Sequence, residues 1–145
     1  MPIDSSIVDS LLQVMRLMRR HFDESVREMG LTMSRARVII ELARHDGMSQ
    51  NELARVMMIE PPTLKRQIDA LEADGFVECR PAEDDGRKKV IFLSAKGRQS
   101  KVNEFSQSLR DDILQDIDAA DLVTARQVLD RIAANIANIR KMADR

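Results

Sequence analysis

The sequence has few of the residues on which many functional classes depend. Tryptophan and tyrosine are absent, phenylalanine occurs four times, and Cys79 is the single cysteine among 145 residues. One cysteine excludes an internal disulfide and any metal site built from several thiolates. Because large aromatic side chains are scarce and nine methionines are present, we expect an aliphatic, methionine-filled core of the kind that suits packing between helices.

Long apolar runs are also missing from this chain. No stretch approaches the roughly 18 consecutive apolar residues of a membrane-spanning helix, and the polar start does not resemble a secretory signal. We therefore expect a cytoplasmic protein that does not contact membranes, and a reducing compartment agrees with the single cysteine. The length suits one domain with its own core, or one domain with an added association region.

Motifs for catalysis, cofactors and metals are not found either. The chain has no phosphate-binding P-loop, no Rossmann glycine pattern, no His-Glu-x-x-His and no nucleophile elbow. His21 and His45 lie on separate predicted helices without neighbouring cysteine ligands. The adjacent carboxylates at 84–85 and 111–112 fit solvated surface positions. The sequence therefore predicts neither an enzyme nor a protein that needs a cofactor.

The charges of the chain are nearly balanced, with a formal net charge of −1. Residues 31–98 carry 12 basic and 11 acidic side chains, whereas the segments on either side are slightly acidic. Net charge alone therefore does not predict a nucleic-acid partner, and the local placement of the cations has to decide. If DNA is bound, we expect moderate affinity that falls with added salt.

The stretch from 48 to 94 predicts a helix-turn-helix followed by a β-hairpin, an arrangement that binds duplex DNA. Ser49 and Glu52 form a Ser-x-x-Glu capping box, so a helix is expected to begin near Gln50. This short helix should end near Met57 or Met58. Its buried face is predicted to consist of Leu53, Ala54 and Met57.

A second helix is expected from about Pro61, which fits a first helical turn, to Asp74, with Gly75 as its left-handed end. An i, i+4, i+7 stripe predicts that its buried residues are Leu64, Ile68 and Leu71. The opposite face carries Pro62, Lys65, Arg66, Asp69 and Ala73. The N-terminal part of that face is narrow and cationic, as entry into the major groove requires. An ordinary amphipathic helix with a solvated charged face explains this helix alone equally well.

The hairpin, or wing, strengthens the DNA-binding interpretation. Strands are predicted at 76–80 and 89–93, and Met48 is expected to add a short third strand. An acidic cluster in the loop can brace the tip while Arg87 points outward, where an arginine can enter a narrow minor groove. Lys88 and Lys89 can reach phosphates. The alternative is a solvated hairpin with a tip of mixed charge.

Helices flank this central region on both sides. A long first helix is predicted at 3–29, with Asp4 or Ser5 as cap and Gly30 as its end, and it is apolar on more than one side. A second is predicted at 33–45, with Thr32 or Ser34 as cap. The residues expected to form its buried face are Ala36, Val38, Ile39, Ile40, Leu42 and Ala43.

After the wing, Ser94 is expected to cap one long, largely polar helix at about 95–116. The last helix is predicted at about 119–143, with Asp118 and Asp121 as a capping pair. Its apolar seam has no evident partner within a winged helix. We therefore expect the two ends of the chain to associate with those of a second copy.

Several short segments follow one another in a characteristic order from Leu31 to Gly97. They are Leu31-Thr32, Asn51-Glu52-Leu53-Ala54, Ile59, Thr63-Leu64, Leu71-Glu72, Gly75-Phe76-Val77-Glu78, Asp85-Gly86-Arg87 and Leu93-Ser94-Ala95-Lys96-Gly97. This ordered series resembles the MarR/SlyA family of winged-helix transcription regulators. There are two departures, since Cys79 stands where the family usually has arginine and Gly86 where many members have a second basic residue.

The resemblance implies a two-fold dimer whose end helices form the interface. It implies that Pro62, Thr63 and Arg66 face bases or phosphates and that Arg87 enters the minor groove. It also implies a small-molecule effector, an aromatic or phenolic acid, bound between the association region and the DNA-reading unit. Arg16, Arg20 or His21 could meet the carboxylate of such a ligand.

These patterns predict a mainly α fold with a small β-wing, a winged helix-turn-helix that is dimeric through its N- and C-terminal helices. We expect an N-terminal dimerisation helix (1–30), a DNA-binding domain (31–98), and C-terminal connector and dimerisation helices (99–145). The expected function is sequence-specific transcriptional regulation, most often repression, by a homodimer on double-stranded DNA with an imperfect palindrome of roughly 15–20 base pairs. The predicted DNA-binding residues are Pro62, Thr63, Lys65, Arg66, Arg87, Lys88 and Lys89.

Two alternatives to this function stay open from the sequence. A winged helix can serve as a protein-interaction module without binding DNA, although such a module would not need outward cations like Arg66 and Arg87. A redox-responsive regulator could use Cys79, which would require a lowered thiol pKa. Arg80 and the basic residues of the wing are the groups that could lower it.

Overall fold

The structure is a computed structural model that describes residues 6–144. Within these residues the fold is mainly α with one small antiparallel sheet, as the sequence predicts. The chain divides into two compact units between Ser106 and Gln107. In chain order the elements are α1 (Ser6–Val26), α2 (Met33–Arg44), β1 (Met48–Ser49), α3 (Gln50–Met57), α4 (Pro61–Ala73), β2 (Val77–Pro81), β3 (Lys89–Leu93), α5 (Ala95–Gln99), α6 (Val102–Ile113) and α7 (Ala119–Ala143).

The long first helix is confirmed as α1, which a 3-10 turn (Arg27–Met29) extends. Gly30 ends it with a left-handed backbone at φ 75°, a conformation that glycine adopts without strain. The cap expected at Asp4 or Ser5 lies outside the described residues. The C-terminal half of α1 buries Phe22 and Val26. Its N-terminal half leaves large apolar side chains exposed, namely Ile7, Val8, Leu12, Val14, Met15 and Leu17.

The second helix is confirmed as α2, and Thr32 rather than Ser34 caps it. The Thr32 side-chain oxygen accepts a hydrogen bond from the backbone N–H of Arg35 at 3.3 Å. Most of its predicted core residues are buried: Ala36, Val38, Ile39, Ile40 and Leu42. Ala43 was expected among them and is exposed, because it lines an open cleft with Leu93 and Arg98.

The helix-turn-helix is confirmed as α3 and α4. The Ser49 hydroxyl accepts from the backbone N–H of Glu52 at 3.2 Å, which is one half of the predicted capping box. Leu53, Ala54 and Met57 of α3 are buried, as are Leu64, Ile68 and Leu71 of α4. Met58 takes a left-handed conformation at φ 54°, and this turns the chain towards the start of α4.

The sheet has the strand order β1-β3-β2, and both pairings are antiparallel. The third strand expected at Met48 is confirmed, with Met48 opposite Ile91. The first wing strand is shifted by one residue from its prediction at 76–80. Val77, Ile91 and Leu93 point into the core, whereas Glu78 and Arg80 alternate towards solvent.

The prediction of one long helix at 95–116 is wrong, since the chain breaks between α5 and α6. Ser100 has an extended backbone with φ −62° and ψ 135°, and its hydroxyl accepts from the backbone N–H of Val102 at 3.3 Å. The Ser94 cap is confirmed, because its side chain accepts from the N–H of Gly97. Tertiary packing explains the break: α5 follows the sheet, while Val102 at the start of α6 is fully buried.

The last helix is confirmed as α7, but the predicted capping pair is not formed. Asp118 is the N-cap residue and makes no capping hydrogen bond through its side chain. Its backbone carbonyl accepts from the N–H of Leu122 at 3.1 Å instead. In the described part of α7 no side chain is buried. Its exposed apolar residues are Val123, Val128, Leu129, Ile136, Ile139 and Met142.

None of the helices within residues 6–144 combines the length and the apolar character needed to cross a membrane.

The contact between α5 and the sheet predicts the effect of a small substitution. A Cβ atom at Gly97 would overlap the backbone carbonyl oxygen of Phe76 and lie 3.0 Å from the Leu93 side chain. Gly97→Ala should therefore destabilise the protein by about 1–3 kcal/mol through overpacking, although alanine is intrinsically the better helix former by about 1 kcal/mol. Urea unfolding followed by circular dichroism measures the difference.

Gly86→Ala is the matched control, because nothing lies within 4 Å of a Cβ placed there. It should change the stability by less than about 0.5 kcal/mol. A Gly97→Ala protein as stable as the original would contradict the close contact.

Candidate nucleic-acid interface

The outer face of α4 is exposed as the sequence predicts. Pro62, Lys65 and Arg66 lie on the solvent side near its start, with Asp69 and Ala73 further along. Thr63 is half-buried, and its backbone N–H donates to the carbonyl of Glu60 at 3.0 Å. Two prolines stand in the first turn, where the missing N–H groups leave no hydrogen bond unmade. The leading end of α4 is therefore short of side-chain bulk and open to solvent.

The two cations of this face differ in their surroundings. The Lys65 ammonium lies 3.0 Å from a carboxylate oxygen of Asp69, and the two side chains are 63% and 60% exposed. Arg66 forms no ion pair with any other residue between 6 and 144. Its guanidinium is consequently available for a partner from outside the chain.

The wing tip is ordered by Asp85. Its carboxylate accepts from the backbone N–H of Arg87 at 3.0 Å, and its carbonyl accepts from the N–H of Lys88 at 3.1 Å. A further hydrogen bond, from the N–H of Ala82 to the carbonyl of Lys88, closes the base of the turn. The Arg87 side chain is left exposed. The predicted bracing of the tip by an acidic residue is confirmed.

An open groove of about 600 Å³ joins the start of α3, the outer face of α4 and the wing. Four residues predicted as DNA contacts line it: Lys65, Arg87, Lys88 and Lys89. Pro62, Thr63 and Arg66 are not part of its lining. With Arg55 included, the groove has five cationic side chains and one carboxylate, that of Glu52. A concave surface with this excess of positive charge attracts a polyanion.

Three residues of α3 in this groove were missed by the sequence reasoning. Gln50, Asn51 and Arg55 line the groove together with the wing. Gln50 also donates from its side-chain amide to the backbone carbonyl of Pro61 at 3.4 Å, which connects the starts of α3 and α4. A signal was present, because Arg55 lies on the face of α3 opposite its apolar residues, and the first helix of such motifs crosses the DNA backbone.

Cys79 does not have the environment of a reactive thiol. It is half-buried in β2, and its pKa is raised to about 11, first by burial, then by a hydrogen bond to Glu72 and by the negative charge of Glu72. Lys89 opposes these effects only in part. Arg80 is engaged elsewhere, 2.8 Å from Glu78 and 4.5 Å over the centre of the Phe92 ring. The redox hypothesis required a lowered pKa, and the structure contradicts that requirement.

Comparison with known sequences points to one kind of protein. A family model described as the MarR family matches residues 31–89. YwoH of Bacillus subtilis (strain 168), an uncharacterised HTH-type transcriptional regulator, is 26% identical over 115 residues. That alignment covers 79% of this chain and 84% of YwoH.

Solved structures have the same fold over nearly the whole chain. The transcriptional regulator PA3341 is 36% identical, with a TM-score of 0.78, and the match covers 91% of this chain and 98% of that one. The crystal structure of the S. aureus MepR–DNA complex has a TM-score of 0.80 at 17% identity, covering 94% of this chain and 99% of MepR. At that identity the likeness to MepR establishes the fold, whereas PA3341 is similar in sequence as well.

The raised pKa of Cys79 predicts slow thiol chemistry in the folded protein. Only the thiolate reacts with iodoacetamide, so the alkylation rate should keep rising with pH and level off only above about 11. In the urea-unfolded chain the rate should level off about two pH units lower, near the ordinary pKa of cysteine. Mass spectrometry of the alkylated protein against pH measures both profiles.

Glu72→Gln should shift the folded profile to lower pH, because it removes the negative charge that disfavours the thiolate. Glu78→Gln is the control, since Glu78 pairs with Arg80. Identical profiles for the folded and unfolded chains would show that the thiol is not protected.

Proposed function

Because this chain belongs to the MarR family of transcriptional regulators, we propose that it binds duplex DNA sequence-specifically as a homodimer and represses transcription. It is a regulator of transcription and not an enzyme. The observation that supports DNA binding best is the groove in which α3, α4 and the wing tip bring five cations together. Phosphates supply most of the affinity for such a surface and make it dependent on salt.

In this proposal α4 is the recognition helix. Its exposed start, with two prolines and the half-buried Thr63, is slim enough to enter the major groove. Arg66, which has no carboxylate partner among the described residues, donates to a base edge or a phosphate there. Pro62 and Thr63 contact bases or phosphates beside it. Lys65 lies on the same face.

The wing makes the second set of contacts. Asp85 orders the tip through its hydrogen bond to the backbone of Arg87, whose side chain is exposed to solvent. An arginine in this position is suited to a narrow, electronegative minor groove beside the recognition site. Lys88 and Lys89 neutralise phosphates along the edge of that groove. Arg55 of α3 adds a contact to the DNA backbone from the opposite wall.

The homodimer explains the exposed apolar side chains of the end helices. Six large apolar residues of α1 are about half exposed or more, and α7 leaves six others uncovered. Exposed apolar surface of this extent is typical of an association interface. A two-fold dimer would set the recognition helices about 34–36 Å apart, in successive major grooves of an imperfect palindrome. The bound dimer would repress by covering promoter DNA in the cytoplasm.

A small-molecule effector remains part of the proposal. An aromatic or phenolic acid between the association region and the DNA-reading unit would release DNA by favouring a dimer geometry with misplaced recognition helices. Arg16, Arg20 and His21 are exposed on α1 and are the candidates to meet its carboxylate. Of these, Arg20 already has Glu24 at 3.6 Å.

Arginine substitutions test the proposed DNA interface. If Arg66 contacts a base, then on a duplex from the protein's own upstream region Arg66→Ala should weaken binding by about 1–3 kcal/mol and relax the sequence preference; if it contacts a phosphate, binding should weaken equally for all sequences. Arg87→Ala should weaken binding most where the flanking sequence is AT-rich, since the minor groove is narrow there. Gel shifts across a range of salt concentrations measure both effects.

Arg126→Ala is the charge-matched control, because Arg126 lies on α7 and faces Asp130 at 4.0 Å. Equal affinity of the original protein for a scrambled duplex would contradict specific recognition. If the original protein binds no duplex DNA even at low salt, the alternative of a winged helix that serves as a protein-interaction module would be favoured.

A charge in the apolar row of α7 tests the dimer. Ile136→Glu should produce a monomer at micromolar concentration and weaken DNA binding, because a carboxylate would be buried in the interface. Light scattering coupled to size-exclusion chromatography measures the mass. Gln127→Glu is the control, because it adds the same charge at an exposed position. At 100° per residue Gln127 lies on the side of α7 opposite Ile136, so this variant should stay dimeric. An original protein that is monomeric would refute the proposed assembly.

A further inference from the structure

Asp69 is a carboxylate on the face of α4 that the proposed function directs towards DNA. Its side chain is 60% exposed, and it shares this face with Lys65 and Arg66. A negative charge here is repelled by phosphates and lowers the affinity for every DNA sequence. Ala73, one turn further on, is small and exposed, so the helix remains slim enough beyond Asp69 for DNA to approach that carboxylate.

Helix stability gives little reason for this acidic residue. Asp69 lies well beyond the first turn of α4, which is the place where the helix dipole would favour a carboxylate. In its pair with Lys65 the cation precedes the anion by four residues, which is the less favourable order on a helix. Both side chains are well exposed, and exposed ion pairs contribute little to folding.

The distance within the pair matches a feature of the major groove. The Lys65 ammonium nitrogen and the Asp69 oxygen are 3.0 Å apart, and they present a donor beside an acceptor. A G·C base pair presents the complement, with the guanine O6 acceptor beside the cytosine N4 donor. Those two atoms are joined by a Watson–Crick hydrogen bond and therefore lie about 3 Å apart.

We propose that Lys65 and Asp69 read one G·C base pair together, with Asp69 as the residue that determines specificity at that position. Lys65 donates to guanine O6 or N7, and Asp69 accepts from cytosine N4. The inference rests on the proposed DNA-binding function and adds a base preference to it. The carboxylate lowers binding to all other sequences by repulsion, and only a cytosine amino group offsets that loss.

Selection from a randomised duplex library tests the inference with the full chain. The original protein should enrich cytosine over the other bases about tenfold at one position of each half-site, the discrimination expected of a good base contact. Asp69→Ala should clearly reduce that preference to the smaller part that Lys65 supplies through guanine, while leaving the other positions unchanged. It should also bind scrambled duplex more tightly, because a like charge has been removed.

Asp69→Asn gives a sharper result, because its amide has nearly the shape of the carboxylate and pairs with adenine N6 and N7. The preferred base at that one position should therefore change from cytosine to adenine. Asp130→Ala is the matched control, since Asp130 follows Arg126 at the same i, i+4 spacing on α7. Its enriched pool should equal that of the original protein.

Two failures can be told apart. If the original protein enriches a palindrome but both Asp69 variants enrich the same bases at every position, the pair is structural and this inference is overturned. If the original protein enriches no sequence at all, the proposed function fails and the inference fails with it.

Discussion

The buried stripe of α4 is the constraint on which the rest of the DNA-reading unit depends. Leu64 and Leu71 are fully buried and Ile68 nearly so, and each such side chain contributes about 1.5–3 kcal/mol when it leaves water. Because a helix turns by 100° per residue, covering this stripe forces Lys65, Arg66 and Asp69 to the opposite side. The rotation of α4 about its axis is therefore decided by the core and not by the charges of the helix.

The wing is attached to that helix by a tight turn and by a hydrogen bond to strand β2. Gly75, just after α4, takes a left-handed conformation at φ 82°. The Glu72 carboxylate of α4 accepts a hydrogen bond from the backbone N–H of Cys79, on the edge strand β2, at 3.2 Å. The same carboxylate helps to keep the Cys79 thiol protonated. Cys79, which the sequence left open as a redox-active residue, thus belongs to the link between α4 and the wing.

The positions of the charged residues, and not their sum, give this protein its cationic surface. The chain has a net charge of −1, yet five cations and one carboxylate line the groove between α3, α4 and the wing. Asp85 and Asp69 show two uses of acidic residues next to such a surface. Asp85 orders the wing tip through backbone hydrogen bonds, whereas Asp69 holds the Lys65 ammonium at 3.0 Å.

The sequence by itself determined the helices, the strands and the outward face of α4, because caps, turns and apolar periodicity act over a few neighbouring residues. It also indicated four of the cationic residues that line the groove, namely Lys65, Arg87, Lys88 and Lys89. Only the tertiary structure decided the break at Ser100, the raised pKa of Cys79 and the inclusion of Arg55 in the groove. Such features depend on how the whole chain packs, which brings distant segments together. An example of such a contact is the hydrogen bond that the Asp46 carboxylate accepts from the N–H of Leu93, 47 residues away. Local patterns carry no information about which distant segments will meet.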